Sequence, residues 1–203
     1  MATQSSAKLE APEDVVFDPN HESYMAPAVC RILHYRHGAI LAGFVEVGLM
    51  AMAVATILSW YIDDGITNTA FTALTVFILI GACMTTVIMV VGVVREKPSY
   101  FNPQIVFLQF EIAILLLGAA VSIASMSLGI NATHYLFGFF VSVHQMEDFF
   151  GPIWPFNVAL LSFSGAAAGL WSHILVKGCQ DYYLDKEYFE ALESNKIEMK
   201  KPM

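Results

Sequence analysis

The stretch "GAILAGFVEVGLMAMAVATILSW", Gly38 to Trp60, decides the class of this chain. Its one charged side chain is a carboxylate, Glu46. A helix crossing a bilayer needs about 20 mostly apolar residues. Three more runs of that kind follow: Thr69–Val94, Ile105–Ile130 and Phe156–Val176. Of the 203 residues 57% are hydrophobic and 14% are charged. Soluble domains carry about 25% charged residues, so composition points the same way as the runs. The expected fold is an all-α, integral membrane four-helix bundle with spans at 38–60, 69–94, 105–130 and 156–176. Residues 1–25 read as a disordered acidic tail, because Ser, Pro and Glu dominate and apolar periodicity is absent. Residues 177–203 read as a second tail. Its Leu184, Tyr188 and Leu192 recur every four residues, the stripe of a short amphipathic helix. Such a helix either continues span four or begins after a break at Gly178.

Basic residues set orientation, since cytoplasmic loops are enriched in Lys and Arg. Lys8, Arg31 and Arg36 precede span one, and Arg95 and Lys97 separate spans two and three. Lys177, Lys186, Lys196, Lys200 and Lys201 follow span four. The other two loops hold carboxylates instead: Asp63 and Asp64 in one, Glu147 and Asp148 in the other. Both termini are therefore expected in the cytosol. The first 37 residues lack the short apolar core of a cleavable signal, so span one is expected to insert itself. Asn131-Ala132-Thr133 is a glycosylation sequon on the expected outer side, close to the end of span three.

Inside the spans, polar groups are few. Glu46 lies about eight residues into span one and Glu111 about six into span three, roughly 12 and 9 Å deep at 1.5 Å per residue. A charge there costs several kcal/mol. A pair at one level can share a proton and tie helices together. His173, roughly 6 Å deep in span four, is expected within reach of Glu111. Interhelical glue is the plain reading of Glu46, Glu111 and His173, worth about 0.6–2 kcal/mol per contact. A proton or cation path is the alternative. Gly165 and Gly169 in "SGAAAGL" have the spacing that lets another backbone approach closely.

The second outer loop, Asn131–Pro155, is crowded with aromatic residues and holds no Lys or Arg. An interfacial belt is the plain reading. A re-entrant helix or a partner surface is the alternative, with Phe149 and Trp154 as contact candidates. Of the three cysteines, none lies in an outer loop, so no disulfide is expected there. Cys30 and Cys179 sit at the expected cytosolic edge, where palmitoylation is open to them. No metal site, cofactor motif, nucleophile or phosphate loop is visible. Nothing basic and aromatic is arranged for nucleic acid, and the chain is expected not to be an enzyme.

"CRILHYRHGAILAGFVEV", Cys30 to Val47, resembles the lead into the first span of the lysosome-associated four-spanning (LAPTM) proteins, with Cys30, His34, Arg36 and Gly38 in the family's order. "FLQFEIAILL", Phe107 to Leu116, is similar to the family's third span, with Glu111 in the place of its acid. The resemblance implies a late-endosomal or lysosomal membrane and a role as adaptor or accessory subunit in sorting or in lipid or solute handling. Its partners would be the bilayer and a membrane protein or a second copy. The family's Pro-Pro-x-Tyr motifs are absent from "KIEMKKPM". A proton-coupled or small-solute transporter and a structural plasma-membrane tetraspan are the rival expectations.

Overall fold

The computed structural model describes residues 21–29 and 32–199, without the side chains of Ser23, Pro27 and 193–199. Helix α1 spans Tyr35–Ile62, and its first turn is capped by the His34 ring, whose Nδ1 accepts from the Arg36 amide at 3.1 Å. Helix α2, Thr69–Arg95, starts at Asn68, whose side chain accepts from the Ala70 amide at 2.6 Å. Such caps satisfy amides that a helix start leaves open. Glu96 closes α2 in the left-handed conformation, φ 54°. A 3-10 turn at Pro98–Phe101 leads into α3, Asn102–Leu128. Gly129, at φ 89°, ends α3; a residue without a Cβ takes that conformation readily.

The span read as running to Ile130 therefore stops at Leu128. The following loop is not free chain: it forms α4, Ile130–Phe137, and α5, Val143–Phe150. Helix α6 then runs unbroken from Trp154 to Met199, 46 residues. It passes straight through Gly178, so span four and the helix of the C-terminal segment are one element. A Cβ at Gly178 would come within 2.1 Å of the Tyr35 ring. The glycine thus makes room for an aromatic ring rather than ending the helix.

The four long helices meet in the ring α1–α2–α3–α6–α1, each neighbour antiparallel to the last. All four are long and apolar enough to cross a membrane. The chain is a multi-pass integral membrane protein, and the expected all-α four-helix bundle is what is found. Buried side chains concentrate at the two ends. At the end where the described residues begin and end, Met89, Val93, Phe101, Leu108, Val176 and Tyr183 form the main core. Tyr183 donates to the Val93 carbonyl at 3.1 Å, and the Gln180 amide donates to Asn102 Oδ1 at 2.6 Å.

Residues 21–25, placed in the tail by composition, lie against α6 here. Ala26 donates to the Leu33 carbonyl at 2.9 Å, Tyr24 donates to Asp185 at 3.2 Å, and Trp171 Nε1 donates to the Ala28 carbonyl at 3.0 Å. These contacts make residues 21–29 a strap across α6, and its Ala26 is fully buried beside Leu175. At the other end Ile66, Val143, Met146 and Trp154 form a second core. There the two loops are clipped by main-chain bonds, Ser142 to Ile66 at 2.7 Å and Asn68 to Phe140 at 3.1 Å.

Candidate functional site

The polar layer inside the bundle starts from Glu46, which is 5% exposed. Its Oε2 accepts from Gln104 Nε2 at 2.6 Å, and Gln104 Oε1 accepts from the Thr86 hydroxyl at 3.5 Å. The chain of contacts runs α1 to α3 to α2. Because α1 and α3 stand across the ring from each other, the Glu46–Gln104 bond crosses the bundle axis. An amide that gives a hydrogen to a buried carboxyl oxygen offsets part of the cost of burying it. Glu46 Oε1 and Glu111 Oε2 are buried and make no hydrogen bond among the described residues. Glu111 lies near enough to act electrostatically on Glu46.

His173 is not part of this layer. Its Nε2 meets Gln109 Nε2 at 3.3 Å, and no hydrogen bond or ion pair joins it to Glu111 among the described residues. Helix geometry explains the correction. Positions 109 and 111 are turned by about 200° from each other at 3.6 residues per turn, so a histidine facing one side chain does not face the other. Gln104 is the residue that sequence reasoning missed. It fell just outside the apolar run begun at Ile105, and its signal was an uncharged amide in the first turn of a span.

Gly165 and Gly169 face α3. A Cβ would come within 3.1 Å of Leu115 at the first and 2.9 Å of Ile112 at the second. The small-residue face of span four is thus used inside the chain, by α3.

The other candidates divide. Phe149 is 63% exposed, its ring edge-on to Phe150, which in turn meets Trp60. Trp154 is 2% exposed and packs against Phe137 with ring centroids 5.0 Å apart. It is a core residue of the loop end, not a surface contact, because the α5–α6 turn at Gly151 rolls it inward. Asn131 is exposed in the first turn of α4. Cys179 is fully buried in the main core, which withdraws it as an acylation site. Cys30 lies outside the described residues.

The two best-formed surface depressions among the described residues do not include Glu46 or Glu111. One, about 550 Å³, lies between the α2–α3 turn and α6 and includes Arg95, Glu96, Lys97 and Lys186. The other, about 240 Å³, lies at the loop end by Asp64, Gln145 and Phe149. No group of three or more His, Cys, Asp or Glu side chains suited to a metal occurs among the described residues.

No family model matches the chain, and no solved structure matches it. It is 35% identical over 179 residues to Protein cuti-1 of Caenorhabditis elegans, a match covering 88% of this chain and 88% of that protein. The chain belongs to the cuti-1 family. The aligned length exceeds that of the four long helices together, so membership in the cuti-1 family rests on more than the general likeness of apolar spans.

Proposed function

We propose that this protein is a non-enzymatic adaptor or accessory subunit of endolysosomal membranes, with both termini in the cytosol, serving sorting or the handling of lipids or solutes. The observation that carries this reading is α6. One unbroken helix joins the bundle to a charged segment beyond it, and both the strap at residues 21–29 and the α2–α3 turn brace it. A braced projection suits the presentation of a surface to another protein. The partition of Lys and Arg supports the orientation. The compartment rests on the LAPTM resemblance of Cys30–Val47 and Phe107–Leu116 alone.

A second reading, a proton- or cation-coupled transporter, is favoured by the two buried carboxyl oxygens without hydrogen bonds, on Glu46 and Glu111. Ionisable residues inside a membrane-spanning bundle mark ion and proton paths. The two are separated by tagging the protein at its native locus and by reconstituting it in liposomes. The adaptor reading expects late-endosomal location, a membrane protein recovered in fixed ratio, and no flux. A proton or solute flux that Glu111→Gln abolishes at unchanged expression overturns it in favour of transport. Plasma-membrane location without a recovered partner returns the protein to a structural tetraspan.

A further inference from the structure

Beyond the bundle, α6 carries Leu184, Tyr188 and Leu192 on one face, exposed by 46, 62 and 39%. The four-residue spacing lines them up along the helix. The opposite side is occupied, since Tyr182 and Tyr183 are buried against the bundle and Lys186 is bonded to Glu96. Leu184 stands beside the end of span two, where Tyr183 reaches the Val93 carbonyl, and the outer part of the stripe lies past the lipid. At 1.5 Å per residue, Leu184 is about 12 Å and Leu192 about 24 Å along the helix past Val176. The headgroup zone adds only about 5–8 Å to each side of the hydrocarbon.

Charge says what kind of molecule fits there. Asp181, Asp185, Glu187 and Glu190 lie along the same stretch of helix. Its described lysine side chains are already engaged: Lys177 with Asp181 at 3.1 Å, and Lys186 with Glu96 and, at 3.8 Å, with Glu190. The first 20 residues of the chain do not complement this face. They hold Glu10, Glu13, Asp14 and Asp18 against one basic side chain, Lys8.

We propose that the Leu184–Tyr188–Leu192 face docks a basic amphipathic helix of a partner protein. Apolar side chains of the partner would lie on the stripe, and Lys or Arg would lie against Asp181 and Glu187. This is the helix-on-helix mode of recognition, in which apolar anchors supply affinity and complementary charge supplies specificity and rate. The inference rests on the adaptor reading and names the chemistry of its partner.

The test uses the full chain in phosphatidylcholine nanodiscs, with empty discs as the blank. The probes are a synthetic leucine–lysine amphipathic helix and its leucine–glutamate counterpart, followed by fluorescence anisotropy. The basic probe is expected to bind at least about tenfold more tightly than the acidic one, and to weaken as salt rises. Joint substitution Leu184→Ser, Tyr188→Ser and Leu192→Ser should abolish this binding. Asp181→Lys with Glu187→Lys leaves the stripe intact and should reverse the preference, which keeps the proposal testable should the triple variant fold poorly. Equal affinity for the two probes, or binding unchanged by both variants, overturns the proposal. So does a dimer that the triple variant converts to monomer, since the face then belongs to a second copy. Absent probe binding beside a recovered membrane partner removes this docking face alone. A flux lost in Glu111→Gln removes the adaptor reading as well.

Discussion

Glu46 is held by a neighbour of a specific kind. Gln104 gives it one hydrogen at 2.6 Å while receiving one from Thr86, so three helices depend on one carboxyl group. Glu46→Gln keeps a side-chain oxygen in place and should leave the thermal midpoint in detergent nearly unchanged. Glu46→Leu strands the buried Gln104 amide and should cost about 1–3 kcal/mol. Equal midpoints for all three proteins would remove the polar layer as a source of stability. The loop end gives a sharper contrast. Trp154→Ala empties a buried site and should destabilise by about 3–5 kcal/mol. Phe149→Ala, on the exposed ring a few residues earlier, should change stability by no more than about 0.5 kcal/mol. Thermal unfolding of the two variants side by side measures this contrast, and equal losses would mean that Trp154 is not a core residue.

At the scale of elements, the junction between α6 and the rest of the chain is where side chains set geometry. Gly178→Leu would drive a side chain into the Tyr35 ring, because even a Cβ lies within 2.1 Å of it. The expected loss is about 1–3 kcal/mol, and Tyr35→Ala should restore much of it by opening the space. If the double variant is no more stable than Gly178→Leu alone, the contact is not what α6 depends on at that point.

Glu96 and Lys186 fasten the α2–α3 turn to the same helix. The hydrogen bond to Lys186 holds the Glu96 carboxyl below the usual glutamate range, against the opposing effect of burial. A group depressed on folding stabilises above its unfolded pKa, about 4.3. That contribution disappears as pH falls through the lower folded value. Both side chains are partly open to water, so the effect is screened to no more than about 1 kcal/mol. Lys186→Met should therefore flatten the acid limb of the stability profile slightly and leave the slope above pH ~6 unchanged. An acid limb identical in both proteins would mean that the pair is idle in solution.

At the scale of the molecule, the antiparallel ring puts the connections 63–68 and 129–153 at one end and both described termini at the other. Single cysteines at Asp63 and Glu147 should react with an impermeant reagent from the same side of an intact membrane. A cysteine at Glu190 should react only from the opposite side. With both termini in the cytosol, the first two label from the lumen or the exterior. Labelling of Asp63 and Glu147 from opposite sides would break the four-span topology.

The four spans were legible because insertion depends on a local sum: about 20 apolar residues in a row satisfy lipid whatever they later touch. The end of α3 near Gly129 was nearly legible for the same local reason. The sequence therefore determined the number of long apolar helices and the all-α class, and its Lys and Arg pattern supplies the expected orientation. It did not determine which face of each helix points inward, because lipid and core are equally apolar and the usual contrast between a wet and a dry face is missing. Only the tertiary structure showed that Gln104 meets Glu46 while His173 turns to Gln109, that Cys179 and Trp154 are buried, and that Gly178 admits the Tyr35 ring. Those outcomes depend on the rotation and depth of one helix against another, and packing between helices sets both.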